Sequence, residues 1–90
     1  MKQSTQGIVV FGRNVSNINE LIDVLCDEVE EQMGISFSEA TPSERREIVQ
    51  RLDNYGTFAL RYAAIRIAKR MMVSKVTFYS ILNGLSDVTK

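Results

Sequence analysis

Five side chains suited to contacting DNA bases follow one another at short intervals near the carboxyl end of the chain. Lysine, serine and asparagine side chains can hydrogen-bond to base edges in the major groove, and a threonine methyl fits against thymine. The tyrosine among them is more commonly a core residue at such spacing, and that alternative stays open. If residues 75–83 form a helix in the major groove, the base-contact residues are Lys75, Thr77, Tyr79, Ser80 and Asn83.

A second set of residues, just before that segment, could bind phosphates. Arginine and lysine side chains neutralise phosphates and fix the register of a protein on the duplex. Residues 43–90 contain nine Lys or Arg against four Asp or Glu, whereas residues 1–42 contain two against seven. Such a basic bias can also be only a solvated helix face. The predicted phosphate-contact residues are Arg66, Lys69, Arg70 and Ser74.

Composition argues against other chemistries. The chain has no histidine and a single cysteine, Cys26, so it lacks the usual residues of a zinc site or a His-assisted nucleophile. We therefore expect no enzymatic activity, no metal and no cofactor, and we expect Cys26 to be a small buried hydrophobe. No early apolar stretch has the length of a signal peptide or membrane span, and no internal disulfide can form. These features predict a cytoplasmic protein with no membrane partner.

Two short helices joined by a tight turn must position these side chains. The sequence predicts helices over about 58–71 and 75–84, hinged at residues 72–74. A helix-turn-helix needs a small residue where the helices cross, which is Ala68, and a cap for its second helix, which is Ser74. The turn position usually holds glycine because its backbone is left-handed, so Met72 there costs about 1 kcal/mol. The apolar residues expected to face inward are Ile67, Met71, Val73, Phe78, Ile81 and Leu82, with Val76 partly inward.

Two further helices precede this pair. Asn17 is placed to cap the first, in which apolar residues recur at three- and four-residue spacing until Gly34. The outer face of this helix is acidic and is expected to point away from DNA. Thr41 is placed to cap the second, with Pro42 in its first turn and an end at about residues 54–56.

The apolar stripe of the first helix has two interpretations. It suits packing against a second copy, or it covers the chain's own core. The run over residues 7–12 predicts a single strand, which must pair with a second copy or a partner domain, or else remain loosely ordered. Because a single recognition helix binds DNA with low affinity, we expect a homodimer on two half-sites about one DNA turn apart. The predicted dimerisation residues are Ile18, Leu21, Ile22, Leu25 and Val29.

Residues 41–84 carry motifs that resemble a known domain. They are the charged helix over residues 42–53, the Gly56-Thr57-Phe58 turn, and a Val-Ser-x-x-Thr-x-Tyr-x-x-Leu pattern over residues 73–82. Together they resemble the carboxyl-terminal DNA-binding domain of YheO-like bacterial transcriptional regulators. Members of that family carry a PAS-like sensor before this module. The resemblance therefore implies a fragment, a truncated regulator or a small stand-alone relative, with no small-molecule effector expected for this chain alone.

The sequence thus predicts an all-α fold, a small helical bundle with a helix-turn-helix and a short N-terminal strand, for which pairing across a dimer is one of the alternatives given above. Residues 1–40 are expected to hold the strand and an acidic connector or dimerisation helix, and residues 41–90 the DNA-binding module. The expected function is sequence-specific binding of double-stranded DNA as a bacterial transcriptional regulator. The alternative is a non-catalytic protein-interaction module, such as an adaptor or antitoxin, that docks through the acidic helix.

Overall fold

Within the residues described, four α-helices and a two-stranded hairpin make up the fold, which confirms the predicted helical class with a short N-terminal strand. The computed structural model describes residues 8–88, and side chains for residues 8–84. Gly7, where the predicted strand begins, lies outside the described residues. The elements are β1 (Ile8–Val10), β2 (Arg13–Val15), α1 (Ile18–Met33), α2 (Pro42–Asn54), α3 (Ala63–Met71) and α4 (Lys75–Val88), with 3-10 turns at Phe37–Glu39 and Thr57–Ala59.

Local capping fixes the ends of α1 and α2 as predicted. The Glu20 backbone N–H donates to Oδ1 of Asn17 at 2.9 Å, and α1 ends where Gly34 takes a left-handed φ of 68°. At α2, Thr41 and Glu44 form a reciprocal capping box, and Pro42 occupies the first turn. Both helices therefore begin and end through contacts between residues close in sequence.

The N-terminal strand has its pairing partner in the same chain. β1 pairs antiparallel with β2, with Ile8 opposite Val15 and Val10 opposite Arg13. The two residues between them, Phe11 and Gly12, both have positive φ, 51° and 78°, as a tight hairpin turn requires. The prediction of a single strand without an internal partner is therefore wrong. The first turn position of such a hairpin favours asparagine or glycine. Because this chain has Phe11 there, the sequence lacks the usual signal for a hairpin turn.

The third and fourth helices differ in length from the prediction. The segment expected to begin a helix at residue 58 instead forms the short 3-10 turn, and α3 begins only at Ala63. Tyr62 precedes it with a left-handed φ of 65°, a conformation that interrupts helical hydrogen bonding. At the other end, α4 continues to Val88, four residues beyond the predicted end.

One hydrophobic core joins the four helices. Fully buried side chains enter it from each helix, namely Ile22, Ile48, Ile67 and Phe78. α1 therefore shares its core with the elements that follow residue 40. Cys26 also lies in this core at 1 % exposure, which confirms the expectation for it.

The apolar stripe of α1 is divided between this core and the surface. Ile22, Leu25 and Val29 are at most 7 % exposed and pack within the chain itself. They cannot reach a second copy without unpacking the core, so their prediction as dimerisation residues is corrected to a core role. Ile18 is 46 % exposed, and Leu21 is partly buried.

Among residues 8–88, no helix is both long and apolar enough to cross a membrane.

Candidate nucleic-acid interface

The turn between α3 and α4 has the left-handed backbone expected at its first residue. Met72 has a φ of 60°, and its N–H donates to the carbonyl of Lys69 at 3.0 Å. The N–H of Val73 reaches back to the carbonyl of Ala68 at 3.1 Å. This pair of bonds closes α3 as a Schellman motif, with methionine where glycine is usual. The Met72 side chain is 78 % exposed, so packing at this position does not offset the backbone cost.

Ser74 caps α4 as predicted. The N–H of Thr77 donates to Ser74 Oγ at 3.1 Å, and the Ser74 hydroxyl contacts Oγ1 of Thr77 at 3.0 Å. The hydroxyl of Ser74, a predicted phosphate contact, is therefore bonded to the hydroxyl of Thr77, whose methyl group is the predicted base contact. Both residues are exposed.

The inner face of α4 is held by aromatic packing. Phe78 is fully buried, and its ring meets that of Phe58 edge-on with centroids 5.6 Å apart. Ala68 of α3 is 3 % exposed, as expected for the small residue at the crossing of the two helices. Val76 does not join this face, since 80 % of its surface is exposed. The prediction that it points partly inward is wrong.

The outer face of α4 brings together most of the predicted base-contact residues. Tyr79 lies on this face with 42 % of its surface exposed, which favours the contact interpretation over a core position. Thr77 is exposed but is not part of the depression on this face. An open, shallow depression runs along the helix and is lined by Lys75, Val76, Tyr79, Ser80, Asn83 and Gly84.

The predicted phosphate-contact residues do not act as one group. Arg66 donates two hydrogen bonds to the carboxylate of Asp23, at 3.1 and 3.0 Å. Arg70 donates to Asp27, and to Glu30 at 2.9 Å, and its guanidinium lies 5.3 Å from the centre of the Phe37 ring. Lys69 lies between these two arginines in sequence and is exposed. We call the residues joined by these contacts the α1–α3 ion-pair cluster, which comprises Arg13, Asp23, Asp27, Glu30, Arg66 and Arg70.

Oppositely charged neighbours in this cluster shift one another's pKa values toward the charged forms. Burial raises the pKa of the Asp27 carboxyl, but hydrogen bonds from Arg70 and Arg13 outweigh it, so that pKa lies below its usual value. Burial likewise lowers the pKa of Arg70, and the bonds to Asp27 and Glu30 more than reverse this effect. The hydrogen bond from Arg66 to Asp23 raises the pKa of the arginine. Asp27, Arg66 and Arg70 are therefore held in their charged forms.

Sequence reasoning missed this cluster, although a signal was present. Asp23, Asp27 and Glu30 recur at helical spacing on α1, and Arg66 and Arg70 recur at the same spacing on α3. Matching charge patterns on two helices of one core indicate a pairing. The acidic face of α1, predicted only to point away from DNA, in part faces α3.

The segment that contains the turn and the outer face of α4 has no negative side chain. Residues 54–86 include no Asp or Glu and contain Arg61, Arg66, Lys69, Arg70 and Lys75. With Arg66 and Arg70 bound to carboxylates of α1, Lys69 and Lys75 are exposed cations of this region. This face suits a polyanion rather than a basic or a neutral apolar partner.

A comparison with protein families identifies the same region. A family model described as an HTH domain, that is, a helix-turn-helix domain, matches residues 21–83. The match extends from the first turn of α1 to the outer face of α4, over more than two thirds of the chain. No curated protein and no solved structure shows a significant match to this chain.

Proposed function

Because this chain belongs to the family of helix-turn-helix (HTH) domains, we propose that it binds double-stranded DNA with the outer face of α4 in the major groove. The observation that carries this proposal is the depression along α4, whose polar lining residues can hydrogen-bond to base edges. In this proposal the base contacts come from Lys75, Thr77, Tyr79, Ser80 and Asn83.

Lys69 is the first residue to which we assign a phosphate contact, because it is exposed at the end of α3 beside the turn. Ser74 can join it only by exchanging its hydroxyl contact with Thr77 for one with phosphate. Arg66 and Arg70 would first have to leave the α1–α3 ion-pair cluster. Their proposed role is therefore to hold α3 against α1, with phosphate binding as a secondary role.

The chain is proposed to act as a homodimer on two half-sites about one DNA turn apart. A small apolar groove of about 280 Å³ lies between the hairpin and the start of α1, lined in part by Ile8, Ile18 and Leu21. Of the predicted dimerisation residues, Ile18 and Leu21 are those that a second copy can reach. The proposed interface therefore uses the N-terminal end of α1 rather than its whole stripe.

We further propose that the protein is a sequence-specific bacterial transcriptional regulator similar to the YheO-like family. Its support is the resemblance of residues 41–84 to that DNA-binding domain, together with the helix-turn-helix family match. Residues 1–40 and 41–90 are proposed to differ in role, dimerisation against DNA contact, while α1 shares the core of the second part.

Selection of bound sequences from random duplex DNA, followed by gel-shift titration at low and moderate salt, tests this function. The expected result is a palindromic site and a shift that weakens as salt rises. The double variant Lys69→Ala/Lys75→Ala should lose most binding, while Arg46→Ala, which removes an exposed cation from α2, should not. Complete absence of binding at low salt would refute the proposal and favour the protein-interaction alternative. Sedimentation that detects only monomer at tens of micromolar would refute the dimer.

A further inference from the structure

Large apolar side chains are exposed at the beginning of α4. Val76, in the first turn, is 80 % exposed, Met72 just before the helix is 78 % exposed, and Tyr79 is 42 % exposed. Single exposed apolar residues are ordinary on protein surfaces, but three within eight residues form a patch. Of these three residues, Val76 and Tyr79 line the depression along α4 together with Lys75 and Ser80.

The charge around this patch indicates what covers it. No acidic residue occurs from position 54 to position 86, and Lys69 and Lys75 are exposed nearby. A partner that suits this surface is negatively charged and also carries small apolar groups within reach of a helix. The major groove of DNA has both properties, because phosphates line its rim and each thymine presents a C5-methyl group.

Val76 has the position and the shape for such a contact. The first residues of a recognition helix come closest to the base edges. A valine in a helix has one strongly preferred side-chain rotamer, so its two methyl groups are already fixed before binding. The side chain gains nothing from the core, and its exposed surface is available for a contact with DNA.

Resting on the DNA binding proposed above, we propose that Val76 is a specificity-determining residue that packs against the C5-methyl group of a thymine. Lys75 and Ser80 then hydrogen-bond to neighbouring base edges from the same face. The contact discriminates thymine from cytosine, and also from uracil, which differs from thymine only by the methyl group.

The experiment replaces each thymine of the selected duplex, one at a time, by deoxyuridine and measures the dissociation constant. For one position per half-site, the wild-type protein should bind about fourfold more weakly, the effect of losing one buried methyl-sized group. Val76→Ala should bind the thymine duplex more weakly and should show no further loss with deoxyuridine. The matched control is Val9→Ala, which truncates another valine, 67 % exposed on β1, and should behave like the wild type.

Two results would overturn the assignment. In the first, the wild type binds the selected duplex and no deoxyuridine substitution changes its dissociation constant by twofold. In the second, Val76→Ala retains the full sensitivity to the methyl group. A protein that binds no duplex at low salt would instead refute the proposed function itself, so the two failures are distinguishable. Because Val76 lies outside the core, thermal unfolding of Val76→Ala should match that of the wild type.

Discussion

Replacing Arg70 by alanine should destabilise the protein more than any other single change in the α1–α3 ion-pair cluster. The guanidinium donates to both Asp27 and Glu30, and the substitution removes this partner from both carboxylates, with Arg13 still bonded to Asp27. A hydrogen bond to a charged group contributes about 1.5–3 kcal/mol, whereas an exposed ion pair contributes about 0.2–1 kcal/mol. The side chain of Arg70 is 26 % exposed and that of Asp27 is 39 % exposed, so solvent screening places the cluster between these limits.

We therefore expect Arg70→Ala to lower the free energy of unfolding by about 2 kcal/mol at pH 7. For a domain of this size, that corresponds to a fall of roughly 10 °C in the melting temperature. Urea unfolding followed by circular dichroism measures the first quantity and thermal unfolding the second. Arg66→Ala is the matched control and should cost much less, because Arg66 is more exposed and, among the side chains described for residues 8–84, pairs with Asp23 alone.

The pH dependence provides a second measurement of the same contacts. The pKa of Asp27 is lowered in the folded protein, so its ion pairs stabilise the fold above the ordinary carboxyl pKa. That stabilisation is lost as pH falls through the lowered pKa. The difference between the wild type and Arg70→Ala should therefore shrink as pH falls below about 4. Equal stability of the two variants at pH 7, or a difference that persists undiminished in acid, would refute this reasoning.

Two other predictions concern the turn and the core. Met72→Gly should raise the free energy of unfolding by up to about 1 kcal/mol in urea titration, because glycine adopts the left-handed backbone without strain and the methionine side chain is 78 % exposed; a clear loss of stability would contradict this. Cys26 should resist alkylation by iodoacetamide at pH 8 in the folded protein and react once urea unfolds it, because burial raises its pKa to about 12. Equal reaction rates in the two states would contradict this second expectation.

The features that sequence alone predicted well are those decided by neighbouring residues. The cap of α1 by Asn17, the capping box at Thr41 and the cap of α4 by Ser74 each depend on residues three positions apart. The left-handed turn at Met72 was predicted by the same local reasoning. Local hydrogen bonds are encoded by spacing along the chain, and for that reason spacing is sufficient to find them.

The features that sequence did not predict depend on residues distant in the chain or on unusual turn chemistry. Arg70 bonds to Glu30 across forty positions. The pattern within either helix alone does not show this contact, which becomes visible only when the charge spacings of α1 and α3 are compared. Phe11 adopts a turn conformation that its residue type disfavours, and its ring packs edge-on against Tyr55 of a later segment. The exposure of Val76 likewise depends on the orientation of α4 about its own axis. Burial of Phe78 in the core determines that orientation.

The ion-pair cluster also affects the counterions that would accompany DNA binding. Each phosphate neutralised on duplex DNA releases condensed cations, and the logarithm of the affinity falls by about 0.9 per contact for each tenfold rise in salt. In the proposed complex, Arg66 and Arg70 already have carboxylate partners, so the contacts that release counterions fall mainly on Lys69 and Lys75. In that complex, each copy should therefore release fewer counterions than its five cations between residues 54 and 86 suggest, and its affinity should be less sensitive to ionic strength.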